Sequence, residues 1–292
     1  MWYGKAVHMT VVHSWNDIDY VALAARMRVI AFDLDNTLAS SKQPMIPAMI
    51  DRFAALTHCL PVAVVTGGRY ELVVSQILEV VHDRANLTQL HLMPTGGTRY
   101  YRWNKSEHET TGSWTCVYTH DLSDADRRSA RTSLERRARE LGLWETTVWG
   151  ARFEDRGSQL TFSALGQNAP ESAKRAWDPG DIKKQRLVNA VAADLPHLKV
   201  RSGGYTSIDV SLPGMDKSFA VHELSKILNT PVDSIVFVGD RMTPGGNDYP
   251  AATAGAWAIS VSSPADTLLM LDQLLPALHT LQEEPSAKPT ER

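Results

Sequence analysis

The sequence predicts an α/β fold with a Rossmann-like parallel sheet core and an inserted α+β domain. Two observations carry this prediction. Short apolar segments alternate with helical segments at both ends of the chain, which is typical of parallel strands covered by helices on both faces. Between residues 98 and 212 this alternation stops. The chain has 292 residues, and since about 150 residues per domain is usual, its length fits two domains.

The first part of the core contains two strand-helix units. Residues 28–33 (R-V-I-A-F-D) are β-branched and aromatic, and an apolar-periodic helix follows over 47–56. Residues 62–65 (V-A-V-V) predict a second buried strand, and 70–81 a second helix with one apolar face. Residues 1–26 are interpreted either as an extension or as a start placed too early, and no chemistry is identified in them.

The same alternation resumes late in the chain. It predicts a helix over 217–228, strands over 234–238 and 256–261, and a last helix from 264. The intervening block predicts strands over 99–103, 114–118, 158–163 and 207–211 and helices over 124–141 and 181–193. The catalytic core is therefore expected at 1–97 and 213–292, the inserted domain at 98–212, and a frayed tail at 283–292.

Composition excludes several classes of function. Thirty basic against thirty-three acidic side chains give a net charge of −3, and 43% of residues are hydrophobic. The chain is therefore neither a disordered nor a polybasic nucleic-acid-binding protein. The arginine-rich helix 124–141 interleaves acids with its arginines, which favours a solvated face. The longest uncharged stretch, 249–265, contains two prolines and does not suit a membrane span. We expect neither nucleic acid nor membrane as a partner.

The cysteines and the start of the chain indicate a compartment. Cys59 and Cys116 are far apart, so neither a disulfide framework nor a thiolate zinc site is expected. The first residues lack the basic start and apolar core of a secretory signal. A reducing cytoplasm is the expected location.

Two acids follow the first predicted strand in A-F-D-L-D-N-T-L. Asp33 and Asp35, two residues apart, lie at the carboxyl edge of a parallel sheet, where open α/β folds bind ligands. Like charges this close repel each other unless a cation neutralises them, so an oxygen-preferring ion is implied. The alternative is an ordinary loop cap or solvated turn.

Three further segments place polar groups at predicted strand or helix ends. Thr66 closes the second strand in V-V-T-G-G-R, where Gly67 permits close approach of a phosphate. Lys217 begins a helix and offers a cation. Asp240 follows the strand I-V-F-V-G, and Asn247 and Asp248 come shortly after it. Taken singly, each has an ordinary alternative: a capped turn, a surface lysine or a Gly-Asp turn.

The order of these motifs resembles that of the haloacid dehalogenase superfamily of phosphotransferases. The four motifs correspond to Asp33 with Asp35, Thr66, Lys217, and Asp240 with Asn247 and Asp248. The resemblance covers roughly 28–97 and 213–280. Because the insertion falls between the Thr66 and Lys217 motifs, it looks like the type II (IIB-like) cap of that superfamily.

The resemblance implies roles for these residues. Asp33 would be the nucleophile that forms an aspartyl-phosphate, and Asp35 the general acid and base. Thr66 and Lys217 would hold phosphoryl oxygens. Asn36 stands where the superfamily more often has glycine.

The resemblance also implies Mg²⁺ as cofactor. The ion would be held by the carboxylate of Asp33, the main-chain carbonyl of Asp35 and the carboxylate of Asp240. Asn247 and Asp248 would lie next to the metal ligands without binding the ion themselves, and Asp248 would orient Lys217 or a metal-bound water.

Two segments point to a sugar phosphate as substrate. G-D-R-M-T-P-G-G-N-D resembles the last motif of the eukaryotic-type phosphomannomutases, and the cap strands around Arg156, Ser207 and Asp209 look similar to the substrate-binding strands of that family. The residues expected to bind substrate are these three together with Gly67, Lys42, Gln167 and Lys174. The alternative for the cap residues is that they are polar groups at strand edges.

Three positions depart from the mutase pattern. Gln167 and Lys174 stand where the mutases carry cap arginines that grip a second phosphate, and Lys42 stands where an arginine follows the first motif. Glutamine carries no charge, and lysine cannot bind a phosphate through two parallel hydrogen bonds as arginine does. We therefore favour a phosphatase that acts on a small phosphorylated metabolite over a phosphohexomutase. A non-catalytic binding module is a third option, and a homodimer through the cap is one option for assembly.

Overall fold

The computed structural model describes residues 10–81, 83–105 and 112–283. The chain divides into two compact units, the first made of Met1–Tyr118 and Asp216–Arg292 and the second of Thr119–Met215. The predicted frayed tail lies outside the described residues from 284 onward. Within them, no helix is long and apolar enough to cross a membrane.

The described residues form twelve strands and ten α-helices. The strands are β1 (Val12–Ser14), β2 (Val29–Phe32), β3 (Val62–Val65), β4 (Leu90–Met93), β5 (Arg99–Asn104), β6 (Ser113–Thr119), β7 (Phe153–Asp155), β8 (Gln159–Ser163), β9 (Lys199–Ser202), β10 (Ser207–Ser211), β11 (Ile235–Gly239) and β12 (Trp257–Ser260). The helices are α1 (Tyr20–Arg26), α2 (Pro47–Cys59), α3 (Tyr70–Val73), α4 (Glu79–Val81), α5 (Asp124–Glu140), α6 (Glu171–Trp177), α7 (Ile182–Asp194), α8 (Lys217–Ile227), α9 (Tyr249–Thr253) and α10 (Pro264–Glu283). A π-helical turn, Val74–Leu78, joins α3 to α4.

The first unit is built on one eight-stranded sheet in the order β1-β12-β11-β2-β3-β4-β5-β6. The strands from β1 to β4 in this order pair in parallel, and β5 pairs with β4 antiparallel. Ile30 and Phe32 pack on one face of β2, and Val29 and Ala31 on the other. Because successive side chains of a strand alternate between faces, only an apolar run such as V-I-A-F fills a strand buried on both sides. The predicted α/β fold class is confirmed.

The boundary of the inserted unit differs from the prediction. It lies at 119 and 215 rather than at 98 and 212. β5 and β6, which sequence reasoning assigned to the insertion, are the last two strands of the large sheet. The reason is that β5 adds antiparallel to the edge of β4, with His91 opposite Arg102, and the sequence of β5 does not show which sheet it joins.

Residues 12–26 are part of the first unit and not an extension. β1 pairs in parallel with β12, with Val12 opposite Ala258. Helix α1 buries Leu23 and Ala24, and Asp19 caps its first turn through hydrogen bonds from the amides of the next residues. This segment therefore closes one edge of the sheet.

The second unit is a smaller α+β layer. Its four strands form an antiparallel sheet in the order β7-β8-β10-β9. Helices α5 and α7 supply Leu134 and Leu187 to a core shared with Phe162 and Val210 of the sheet. Several arginines of α5 lie in ion pairs, as between Arg137 and Asp194 at 2.6 Å.

Candidate active site

Three predicted site residues directly follow neighbouring parallel strands, at the same edge of the sheet. Asp33 follows β2, and its amide donates to the carbonyl of Val238 at 2.9 Å, so it extends the pairing with β11. Thr66 follows β3, and Asp240 follows β11. Since β11, β2 and β3 are adjacent, their carboxyl ends deliver these residues side by side.

An acidic cluster forms at this edge. Asp33, Asp240 and Asp248 each present a carboxylate oxygen, and these oxygens lie within 4.8 Å of one another. Lys217, the first residue of α8, points its ammonium group into the cluster and donates hydrogen bonds to Asp33 and, at 2.5 Å, to Asp248. Asp33 is 4% exposed, Lys217 3% and Asp248 0%. Charged groups that are this buried need partners of opposite charge.

Burial and mutual repulsion set the electrostatics of the cluster. Burial and the charge of Asp248, opposed by the attraction of Lys217, raise the pKa of Asp33 to about 6. Burial and the charge of Asp248 also raise the pKa of Asp240. Burial disfavours the charged form of Lys217, but Asp33 and Asp248 more than offset this and leave its pKa raised. These contacts therefore favour the charged form of the lysine, while burial and the neighbouring acid disfavour the charged forms of Asp33 and Asp240.

The donor set fits a divalent cation. Three carboxylates against one ammonium leave about two negative charges uncompensated when all are ionised. The donors are all oxygens, which Mg²⁺ prefers, and a cation would favour the ionised form of the two acids whose pKa is raised. Asp33 and Asp240 are the residues of this set that would hold the ion, because Asp248 is engaged elsewhere.

Asp248 is fixed by its neighbours on both carboxylate oxygens. Oδ1 accepts from Lys217, and Oδ2 accepts from the amide of Arg241 at 2.9 Å. Asn247 is exposed and lies 3.5 Å from Oδ1 through its side-chain amide. A Cβ at Gly239 would lie 2.5 Å from the carboxyl carbon of Asp248, so the close packing here requires glycine. These contacts support Asp248 as the residue that orients Lys217.

Asp35 lies outside the three-acid cluster and is partly exposed. Its Oδ1 accepts hydrogen bonds from the amide of Lys42 at 2.8 Å and from the side-chain amide of Gln76 at 3.3 Å. Lys42 thus contacts Asp35 through its main chain, while its side chain is exposed. Sequence reasoning missed Gln76; the available signal was a polar residue three positions after the buried Val73.

Asn36 has a left-handed backbone with φ of 62°. Glycine adopts this conformation at no steric cost, and asparagine tolerates it better than most other residues. The geometry therefore explains why asparagine can stand where the superfamily more often has glycine.

The loop after β3 is held by the loop after β4. Thr66 Oγ1 accepts from the amide of Gly68 at 3.0 Å. The amides of Thr95 and Gly96 donate to the carbonyls of Gly68 and Thr66, each at 2.8 Å. Gly67 is exposed, and nothing lies within 4 Å of a Cβ placed on it, which leaves room for a ligand. Sequence reasoning missed the bracing role of the 94–98 loop, P-T-G-G-T, whose two glycines were the available signal.

In the second unit, Ser207 and Asp209 lie on one face of β10, opposite Ser163 and Thr161 of β8. Thr161 donates to Asp209 at 2.8 Å. This polar face is the one that α5 and α7 leave free of apolar packing, since Ile208 and Val210 point to the core.

The other predicted residues of this unit form two pairs. Arg156 donates to Glu154 at 2.8 Å just beyond the end of β7. Lys174 on α6 donates to the carbonyl of Gln167 at 2.9 Å. Gln167 and Lys174 are thus in direct contact.

Comparison with known proteins places the chain. A model of the eukaryotic phosphomannomutase family matches residues 146–277. The match lies in the same chain as the motifs that resemble the haloacid dehalogenase superfamily. It is 23% identical to a protein of Caenorhabditis elegans named probable phosphomannomutase, over 87% of this chain and 98% of that one. It is 31% identical to the phosphomannomutase of Saccharomyces cerevisiae, over 43% of this chain and 50% of that one.

Solved structures share the fold. The IMP-nucleotidase of Plasmodium falciparum superposes with a TM-score of 0.63 and 14% identity, covering 91% of this chain and 71% of that one. The trehalose-6-phosphate phosphatase of Aspergillus fumigatus superposes with a TM-score of 0.56 and 11% identity, covering 91% of this chain and 100% of that one. At these identities the similarity concerns the fold.

Proposed function

We propose that the protein is a Mg²⁺-dependent phosphatase that hydrolyses a phosphomonoester of a sugar or a similar small metabolite. The observation that carries the proposal is the convergence of Asp33, Asp240 and Asp248 on Lys217 at the carboxyl edge of the sheet. An anionic phosphoryl group needs a fixed cation beside it, and a nucleophile needs to face its phosphorus atom.

Asp33 is the proposed nucleophile. One of its carboxylate oxygens forms a bond to phosphorus while the bond from phosphorus to the ester oxygen breaks, and the electron pair of that bond goes to the leaving oxygen. Asp35 gives its proton to that oxygen and then accepts a proton from the water that hydrolyses the aspartyl-phosphate. Lys217 and the amides of the Thr66 loop bind the other phosphoryl oxygens.

When bound, Mg²⁺ would neutralise charge on the transferred phosphoryl group. Asp33 and Asp240 offer carboxylates for it, and the main-chain carbonyl of Asp35 is the proposed third protein ligand. Asp248 holds Lys217 through a buried hydrogen bond and so positions its ammonium group.

The cap residues favour hydrolysis over mutase chemistry. A mutase must bind a bisphosphorylated intermediate in two orientations, and this favours arginine side chains that hold the second phosphate through two hydrogen bonds. Gln167 is neutral, and Lys174 uses its ammonium group on the carbonyl of Gln167. A phosphatase needs only one phosphate held. The proposed substrate-binding residues of the second unit are Arg156, Gln167, Lys174, Ser207 and Asp209.

A phosphohexomutase is the second candidate, and the names of the relatives favour it. The family model that matches is that of eukaryotic phosphomannomutase, and the related C. elegans protein, of which 98% is covered, is named for the same activity. Cytoplasmic location and a homodimer through the cap stay predictions.

The two candidates give different products from one experiment. Purified protein is incubated with hexose 1-phosphate, Mg²⁺ and a catalytic amount of hexose 1,6-bisphosphate, and the products are separated by chromatography. We expect free phosphate and hexose. Accumulation of hexose 6-phosphate without free phosphate would establish the mutase instead. A panel of other phosphorylated metabolites then ranks substrates.

A further inference from the structure

We propose that Gln76 is a positioning residue that holds the carboxyl group of Asp35 in place for proton transfer to the leaving oxygen. The inference rests on the proposed function, because it concerns the acid that the proposed reaction uses. It is carried by the contacts of one buried amide and by the irregular helical turn that contains it.

Gln76 joins Asp35 to the loop that follows it. The side chain is 1% exposed, and its Nε2 donates both to Asp35 Oδ1 at 3.3 Å and to the carbonyl of Gln43 at 2.9 Å. Its main-chain carbonyl accepts from the amide of Met45 at 3.1 Å. One residue thus fixes both the carboxyl group and the loop whose Lys42 amide contacts the same oxygen.

The orientation of the Gln76 amide is determined by its partners. The carboxylate of Asp35 and the carbonyl of Gln43 are both acceptors, so only the NH₂ group can face them. Oε1 is then buried without a hydrogen-bond partner among the described residues. An unsatisfied buried acceptor destabilises a fold, so this arrangement serves the orientation of Asp35 rather than stability.

Gln76 lies in the middle of the π-helical turn Val74–Leu78. Such turns insert one extra residue into an α-helix and occur frequently at functional sites. Gln76 and Ile77 are consecutive and both buried, so the wide turn places a polar side chain and the next, apolar side chain in the interior of the protein. The turn is a second, independent indication that the position of this amide matters.

The contacts divide the two oxygens of Asp35 between two tasks. Oδ1 accepts from Lys42 and Gln76, whereas Oδ2 makes no hydrogen bond within the described part of the chain. Oδ2 is therefore the atom that carries the proton to the leaving oxygen. The P–O bond breaks, its electron pair goes to that oxygen, and Asp35 is left as a carboxylate whose Oδ1 stays anchored.

The test compares esters that differ in their need for this proton. An alkyl phosphate such as glucose 6-phosphate has a poor leaving group and needs protonation, whereas 4-nitrophenyl phosphate has a good one and does not. We compare kcat/KM for both esters in wild type, Gln76→Met and Gln76→Glu. Because kcat/KM covers only the steps up to loss of the leaving group, the later role of Asp35 as a base does not enter.

The expected result is selective. Gln76→Met and Gln76→Glu lower kcat/KM for the alkyl ester about tenfold or more and change it less than about threefold for the aryl ester. Ser75→Ala, an exposed change in the same turn, is the matched control and alters neither. Equal losses for both esters, or no loss, would overturn the inference. In an Asp35→Asn background, Gln76→Met should change the ratio of the two esters no further.

Failure of the proposed function is seen separately. If wild type releases phosphate from neither ester, the proposed function fails on its own, and crystal structures of wild type and Gln76→Met decide the inference. The same two crystal structures decide the inference if the Gln76→Glu variant does not fold. The Asp35 carboxyl group should keep its place in wild type and lose it in Gln76→Met; an unmoved Asp35 would contradict the inference.

Discussion

Individual residues at the edge of the sheet adopt conformations that local preference alone does not favour. Asn36 and Lys42 have φ values of 62° and 59°, both in the left-handed region. They lie at the two ends of the loop in which the amide of Lys42 donates a hydrogen bond to the carboxylate of Asp35. The loop's geometry is therefore determined by the contact with Asp35, at a cost in backbone strain.

Replacement of Asn36 tests this strain. Asn36→Ala should lower the free energy of unfolding by about 1 kcal/mol, because a residue with a Cβ and no local hydrogen-bonding group resists the left-handed region. Asn36→Gly should keep the free energy of unfolding or raise it slightly. Urea unfolding followed by circular dichroism measures both, and equal values for Ala and Gly would contradict the account.

His91 makes stability depend on pH. It is 3% exposed, its Nδ1 lies 2.8 Å from the Tyr100 hydroxyl, and burial, together with Arg102, lowers its pKa to about 4. Below pH 6.5 His91 binds a proton in the unfolded chain but not in the folded chain. The free energy of unfolding therefore falls as the pH falls from about 6.5 to about 4. The full loss is about 3 kcal/mol.

The measurement for His91 is a difference between two proteins. The free energy of unfolding of wild type minus that of His91→Gln, a variant that keeps hydrogen-bonding groups but does not titrate, should fall by about 3 kcal/mol between pH 7 and pH 4. A constant difference over this range would show that His91 is not the responsible group.

At the scale of secondary-structure elements, the 94–98 loop connects two parts of the site. Thr95 and Gly96 hold the Thr66 loop through their amides. A Cβ at Gly97, whose φ is 87°, would lie 2.5 Å from the Cβ of Ala220. Ala220 lies three residues after Lys217 on α8, so the missing side chain at Gly97 lets this helix approach the sheet.

Gly97→Ala should therefore disturb catalysis through α8. We expect kcat/KM to fall by about tenfold to a hundredfold, since displacement of the Lys217 ammonium group by a fraction of an ångström weakens its hold on the phosphoryl group. The matched control is Gly142→Ala, which has φ of 69° but nothing within 4 Å of the new Cβ. It bears the same backbone strain, and its kcat/KM should be unchanged; equal losses in both variants would reject the link to α8.

The elements also show what the sequence could predict. V-I-A-F and V-A-V-V predict β2 and β3 because fully apolar runs suit strands buried on both faces. β1 has only three residues and pairs with β12 far along the chain, whereas β5 and β6 mix polar and apolar residues at the edge of the sheet, so the sequence does not show that these strands belong to it. The site acids were predictable from strand ends, whereas Gln76 acts through a π turn that no helical periodicity indicates.

At the scale of the whole molecule, the proposed catalytic residues and most of the proposed substrate-binding residues belong to different units. The three acids and Lys217 belong to the first unit, where parallel strands hold them at fixed positions. Arg156, Gln167, Lys174, Ser207 and Asp209 belong to the second unit, which has its own apolar core. Because each unit has a separate core, substitutions in the second unit are expected to change substrate choice without dismantling the acidic cluster.

The central claim is that the acidic cluster binds a divalent ion and that Asp33 attacks phosphorus. Its most direct test is the release of phosphate from 4-nitrophenyl phosphate by wild type and by Asp33→Asn, each with Mg²⁺ and with a chelator. The account predicts release only by wild type with Mg²⁺. Release by Asp33→Asn at the wild-type rate, or undiminished release by wild type in the chelator, would contradict it.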